Sequence, residues 1–289
     1  MTPHSSAGWR NERPPAPDPL PLSVVDNHVH LDIAREGELA PPVAQAIAAA
    51  AAVGVTRLVQ VGCDPAGVRF TAKAVEEYPS LLGGVAVHPN EVPALAESGA
   101  LPDALAEVAE LAAHPRIRVV GETGLDYYRT GPAGIPAQQE AFRWHIDLAK
   151  QTGLALQIHD RDAHTDVLRI LDEEGAPERT VLHCFSGDVG MARAAVERGL
   201  MLSFAGTVTF KNAGGLRNAL AVTPLEHLLV ETDAPYLAPT PHRGATNASY
   251  LVPLTVRAMA GVLTVDVPTL CRALSENSER VYGSWDVVA

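Results

Sequence analysis

Cysteine is scarce in this chain. Cys63, Cys184 and Cys271 are the whole complement of 289 residues, odd in number and without a CxxC pair. That argues against a disulfide framework and fits a reducing, cytoplasmic setting. Long apolar runs are missing as well. No stretch approaches the ~18 residues of a membrane span, and residues 1–21 hold no signal-peptide core, so no membrane partner is expected. Positive charge is in short supply: 22 Lys and Arg stand against 34 Asp and Glu, a net charge of −12. Broad non-specific binding to nucleic acid or anionic membrane is thereby disfavoured, which leaves room only for a local basic pocket for a phosphate. No Gly-rich loop follows the first strand, which argues against a doubly wound dinucleotide-binding sheet.

What is present is ordinary globular composition, 47% hydrophobic and 19% charged, in a chain long enough to bury a large core. Residues 1–21 carry Pro14, Pro15, Pro17, Pro19 and Pro21 among polar residues and read as a flexible tail. Beyond them short apolar strands alternate with helical periodicity. A first strand ends in Asp26-Asn27-His28-Val29-His30-Leu31. Later strands are predicted over 57–61, 81–87, 117–120, 154–158, 180–182, 200–204 and 228–230. Helices are predicted over 43–53, 65–77, 103–113, 138–151, 163–174, 189–198, 213–222, 252–263 and 267–277. Strands that alternate with helices indicate a parallel sheet. Eight such units in about 250 residues predict α/β architecture, a single (β/α)8 TIM barrel over 22–289.

In such a barrel the carboxyl ends of the strands form a ring that carries the chemistry. Here they read His28/His30, Cys63/Asp64, His88, Glu122, His159, His183, Gly206 and Asp233. His28 and His30 are two apart, so on a strand they share a face and meet at one point. A lone histidine at a strand end is ordinarily a hydrogen-bonding loop residue. The joint occurrence carries the inference, because His28, His30, His88, His159 and His183 are five of only 11 histidines. Cys184 beside His183 suggests a Cys–His nucleophile, but adjacent strand residues point to opposite faces. Four His with one Glu and one Asp exceed the needs of one tetrahedral ion. They suit two ions bridged by a carboxylate about 3.5–4 Å apart, and Glu122 is the natural bridge. So His-rich a set suits Zn, Mn or Fe better than Mg.

The stretches DNHVHLD (26–32), GVAVHPNE (84–91), GETGLDYYR (121–129), QIHDRDA (157–163), LHCFSGD (182–188) and ETDAPYLAP (231–239) resemble the TatD family of metal-dependent hydrolases, a branch of the amidohydrolase-like barrels. The resemblance covers almost everything after residue 20. It implies two divalent metal ions, one held by His28, His30, Glu122 and Asp233, the other by Glu122, His159 and His183. It implies hydrolysis of phosphodiester bonds in DNA, with 3′–5′ exonuclease action, commonly supported by added Mg.

The chemistry that goes with this set is attack by a water whose pKa a metal lowers toward ~7, with Asp233 accepting the proton. His88 is expected to contact the phosphate or the leaving group. Arg129, Arg161 and Arg243 are candidate phosphate partners, since a guanidinium binds phosphate bidentately. The chain departs from the family after ETDAPYLAP: Ala245 stands at a usually basic position and Ser249 at a usual proline. That lowers the expected affinity for a polynucleotide. Two alternatives follow: hydrolysis of a non-nucleic-acid ester or amide, including an aminoacyl ester, or a metal-binding scaffold without catalysis. Many amidohydrolase barrels bridge their ions with a modified lysine. Here Lys211, beyond the seventh strand, is the one lysine near a strand end, which favours the Glu-bridged branch. The expected partner is DNA or a small phosphodiester, and a monomer is expected.

Overall fold

A computed structural model describes residues 13–286. Its strands are β1 (Val24–Val29), β2 (Val55–Gly62), β3 (Leu81–Val85), β4 (Ile117–Asp126), β5 (Ala155–Arg161), β6 (Thr180–Leu182), β7 (Met201–Phe204) and β8 (Leu228–Val230). They pair in parallel in that order. A bridge between Val29 and Ala234, with Asp233 N donating to the His28 carbonyl and His30 N to the Ala234 carbonyl, joins the last strand to the first. The helices are α1 (Val43–Ala51), α2 (Pro65–Glu77), α3 (Val92–Ser98), α4 (Leu101–Leu111), α5 (Ile135–Thr152), α6 (His164–Glu174), α7 (Val189–Glu197), α8 (Gly214–Val222), α9 (Val252–Leu263) and α10 (Val267–Tyr282). The arrangement is a (β/α)8 barrel.

The strands are apolar on both faces because both are covered. Val25, Val59, Leu82, Val119, Ala155, Val181, Met201 and Leu229, one from each strand, meet inside the barrel. Val281, Tyr282 and Trp285 join that cluster. The alternate residues, such as Leu58, Leu81, Val120, Leu156, Ile158 and Phe204, face outward and bury the helices' apolar stripes. Asp64, Asp188 and Asp266 cap α2, α7 and α10 by accepting from Gly67 N, Met191 N and Thr269 N. Each such cap contributes about 1 kcal/mol.

Four register shifts interrupt the pairing, and two of them fall at the candidate residues. Asp26 pairs with Leu58 but Val29 with Gln60, so β1 holds one extra residue between them. Val120 pairs with Leu156 but Thr123 with Ile158, so β4 does the same around Glu122. Each is a β-bulge, a device that re-aims a side chain. The second depends on glycine: a Cβ on Gly121 would stand 2.7 Å from Gln157 Cβ, and one on Gly124, at φ +127°, 2.1 Å from the His159 carbonyl oxygen.

Three expectations change. β4 runs on to Asp126, because the bulge lets pairing with β5 resume at Thr123. The segment after His88 folds an unpredicted helix, α3, ended by Gly99 in the left-handed region. The flexible tail predicted over 1–21 does not extend over 13–21. Leu20 is buried, and its N–H donates to the Val53 carbonyl. Tyr250 Oη donates to the Pro14 carbonyl, and Arg257 to those of Asp18 and Pro19. Prolines give up no backbone donor in such a strap, so its carbonyls suffice to tie it down. Residues 1–12 lie outside the described residues. No single helix among the described residues is long and apolar enough to cross a membrane.

Candidate metal centre

The functional side chains enter one space from the carboxyl ends of different strands. Cys63, His159 and His183 continue the inward register of Val61, Ala155 and Val181, while His88 and Asp233 enter from the turns after β3 and β8, Asp233 at φ +54°. His28, His30 and Glu122 reach it through the two bulges.

Glu122 is the hub. Its Oε2 lies 3.5 Å from His28 Nε2 and 3.9 Å from His30 Nε2. Its Oε1 lies 2.7 Å from His159 Nδ1, 3.1 Å from His183 Nε2 and 3.4 Å from His88 Nε2. Asp233 Oδ1 lies 3.5 Å from His30 Nε2 and 3.9 Å from His28 Nε2. Two groups of donors therefore share one carboxylate, with one oxygen turned to each.

Outer partners fix the tautomers. His30 Nδ1 faces the Val61 carbonyl at 2.9 Å, and a carbonyl only accepts, so the ring proton sits on Nδ1. His28 Nδ1 is 2.7 Å from Gln157 Oε1, whose amide nitrogen donates to the Asn27 carbonyl, so its proton sits on Nδ1 as well. The two Nε2 lone pairs then point at each other across 3.1 Å between buried rings. Facing acceptors repel, and one cation between them removes the repulsion. The titration of the pair agrees. At His28 burial and the charge of His183 push the pKa down. At His30 burial acts the same way but is outweighed by Cys63 and Asp233, and the pKa is raised. Without an ion the pair therefore shares one proton between its Nε2 atoms, and a metal cation would take that proton's place. Burial would raise the Glu122 carboxyl, but His183, His88 and His159 overcome it and hold the pKa well below the usual carboxylate range.

The spacing fits a metal. Nitrogen and oxygen ligands about 2.0–2.2 Å from one tetrahedral ion stand about 3.3–3.6 Å apart. The contacts of 3.1–3.9 Å among His28, His30, Glu122 Oε2 and Asp233 bracket that range. His159, His183 and Glu122 Oε1 offer a second position. One wall is closed, with the side chains of His28, His183 and Glu122 at most 5% exposed. The mouth opens past His88, Asp233 and His159, at 14%, 16% and 18%.

His88 stands apart from the ligands. Its Nδ1 accepts from Asn90 N at 3.0 Å, so Nε2 carries the proton and presents a donor to the site. Arg161 ends β5 two residues after His159, with its guanidinium 4.0 Å over the exposed ring of Tyr128. Arg243 lies 4.5 Å over Phe210. Arg129 is exposed, and the described contacts assign its side chain no partner at the site; its backbone N–H donates to Asp126. Neither Arg161 nor Arg243 forms an ion pair among the described residues.

Three residues escaped the sequence reading. Asp126 Oδ2 lies 3.3 Å from His159 Nε2, Glu231 Oε1 lies 2.7 Å from His183 Nδ1, and Gln157 holds His28. Such outer carboxylates and amides orient metal-binding imidazoles. The period of two was the available signal: Gln157 precedes His159 by two, and Glu231 precedes Asp233 by two. Cys184 needs a different argument from the opposite-face one, since β6 ends at Leu182 and Cys184 sits at φ +44°. Burial, with the charges of Asp233 and Glu231, raises its thiol well above the usual value, so it is no nucleophile.

The family described as TatD related DNase matches residues 25–283. An uncharacterized metal-dependent hydrolase TatD of Mycobacterium tuberculosis is 45% identical over 90% of this chain and 98% of its own length. The uncharacterized metal-dependent hydrolase YcfH of Escherichia coli is 37% identical over 90% of this chain and 96% of its own. The crystal structure of the TatD homolog YJJV from Escherichia coli superposes with a TM-score of 0.79 at 24% identity, covering 90% of this chain and 98% of that one, a likeness of fold. With its barrel, its shared carboxylate and these matches along nearly its whole length, the chain belongs to the TatD family of metal-dependent hydrolases.

Proposed function

We propose that the chain is a two-metal phosphodiesterase that removes nucleotides from single-stranded DNA, acting 3′–5′. The observation that carries the reading is Glu122, whose two oxygens each serve a separate group of nitrogen donors. Divalent ions in these places supply a nucleophile at neutral pH and neutralise charge on a phosphoryl group. His28, His30 and Asp233 would hold one ion and His159 and His183 the other, with Glu122 a ligand available to both. Asp233, reachable from solvent at the mouth, takes the proton of the attacking water. His88 Nε2–H donates to the phosphoryl oxygen or leaving oxygen. Arg161 and Arg243, without carboxylate partners, take the next phosphates of the strand. Exposed Tyr128 and Tyr236 offer faces on which bases stack. The basic rim answers the net charge of −12, since binding then rests on a few placed arginines rather than on the whole surface. A reducing, cytoplasmic compartment belongs to the reading, because Cys63, Cys184 and Cys271 are all free thiols.

One observation favours a second reading, hydrolysis of a smaller ester or amide. Ala245 gives the rim no charge where the family resemblance expects a basic residue. The test is nucleotide release from single-stranded DNA beside turnover of bis-p-nitrophenyl phosphate, by metal-loaded protein and by Asp233→Asn. Release of nucleotides, lost in the variant with metals retained, is expected. Turnover of the small diester alone would remove DNA as substrate, and equal rates in the variant would remove Asp233 as the base.

A further inference from the structure

Cys63 follows β2 directly and faces the barrel interior in register with Val59 and Val61. Its carbonyl accepts from His88 N at 2.9 Å, and Asp64 after it caps α2, so the residue is fixed on both sides. Its Sγ lies 3.6 Å from Glu122 Oε2, the oxygen turned toward His28 and His30. Ligand atoms of His30, Cys63 and Glu122 all lie within 4.8 Å of one another. A sulfur about 2.3 Å and an oxygen about 2.0 Å from one five-coordinate ion stand about 3.0–3.7 Å apart at neighbouring positions. The observed contact matches that edge. Neither other cysteine shares this placement: Cys271 is buried in α10, and Cys184 belongs to none of the ligand groups among the described residues.

We propose that Cys63 supplies a thiolate ligand to the ion held by His28, His30 and Asp233, making that position selective for Zn2+ over Mg2+. The inference rests on the two-metal reading and adds a donor to it. A soft sulfur favours borderline ions, whereas Mg2+ prefers oxygen and keeps its waters. On binding, the S–Zn bond forms and the thiol proton, directed at Glu122 Oε2 in the free site, leaves to the buffer. The consequence is a divided centre: a sulfur-bearing position that retains Zn2+, beside a His159/His183 position that exchanges.

The experiment uses chelated full-length protein reloaded with Co2+, read by absorption, and Zn2+ and Mg2+ titrations against a chelating dye. Wild type and Cys184→Ser are expected to show a sulfur-to-cobalt charge-transfer band in the near ultraviolet. Cys63→Ser, and Cys63→Ala in which no oxygen replaces the sulfur, are expected to lose it. Zn2+ affinity falls about 10–100-fold in both Cys63 variants, and Mg2+ affinity changes less than about twofold. About two ions per chain with no band in wild type, or a band that survives in Cys63→Ala, overturns the thiolate and leaves the hydrolase reading standing. No retained ion in wild type overturns both.

Discussion

Asp126 stands behind His159: the ring's Nε2 lies 3.3 Å from Asp126 Oδ2 while its Nδ1 faces Glu122 Oε1 at 2.7 Å. Burial alone would lower the pKa of this histidine, but the two carboxylates overcome it and raise the pKa to about 9. Asp126 is itself held, by Asn90 Nδ2 and Arg129 N, so the ring's orientation is inherited from the strand end. An ion at the proposed second position would take the place of the Nδ1 proton, and the Nε2–H would remain on Asp126. Asp126→Asn weakens that support. The affinity of the second ion is expected to fall about 10–100-fold, with the first ion changed far less. Stepwise metal titration checks this, and equal loss at both positions would refute it.

Arg161 distinguishes a polynucleotide from a small diester. A charge-assisted hydrogen bond is worth about 1.5–3 kcal/mol. Arg161→Ala is therefore expected to lower kcat/KM on single-stranded DNA by about 10–100-fold and to leave bis-p-nitrophenyl phosphate within about threefold. Equal losses on both substrates would place the arginine at the reacting phosphate instead.

Chelation should soften the whole barrel, because it removes ions that would tie together donors from the ends of β1, β4, β5, β6 and β8. An ion present at a hundred times its Kd stabilises by about 2.7 kcal/mol. In a chain of this size that is about 4–5 °C in Tm. A thermal melt with chelator, then with restored Zn2+, measures it. A Tm unmoved within a degree would argue against an ion in the native state.

His145 makes stability fall with acid. It is fully buried in α5, donating from Nδ1 to the Ala141 carbonyl and accepting Val87 N on Nε2. Burial pushes its pKa down to about 4, against an ordinary 6.5. The unfolded chain therefore binds this proton first, so stability is complete above about pH 6.5 and drains away as pH falls toward 4. Between pH 7.5 and 5 the loss is about 2 kcal/mol. Urea unfolding of chelated wild type and His145→Gln, which keeps a donor and an acceptor, reads it as a difference in slope. Parallel pH profiles would refute it.

The barrel was legible because each strand is a short apolar run and each helix has its own stop. The ends of α2, β6, β8 and α9 fall where the sequence predicts them. The histidine-rich strand ends were legible for the same reason, since a barrel must gather them. How they are aimed was not. Alternation counted from Val25 sends His28 and His30 outward, and counted from Val119 it sends Glu122 outward. Only the pairing register, a long-range property, shows the extra residue that turns each of them in. The strap over residues 13–21 was illegible for a related reason: its ties are carbonyls, which every residue has.

The bulges in β1 and β4 make the centre depend on pairing register as much as on which residues are present. Substitutions among the outward valines and leucines tune stability by degrees and leave the donors where they are. A one-residue slip that continued unbroken pleating past Asp26 or past Val120 would keep every residue and turn His28 and His30, or Glu122, toward the helices. Barrel and chemistry are therefore separable: composition writes the first, and the one residue each strand leaves unpaired writes the second.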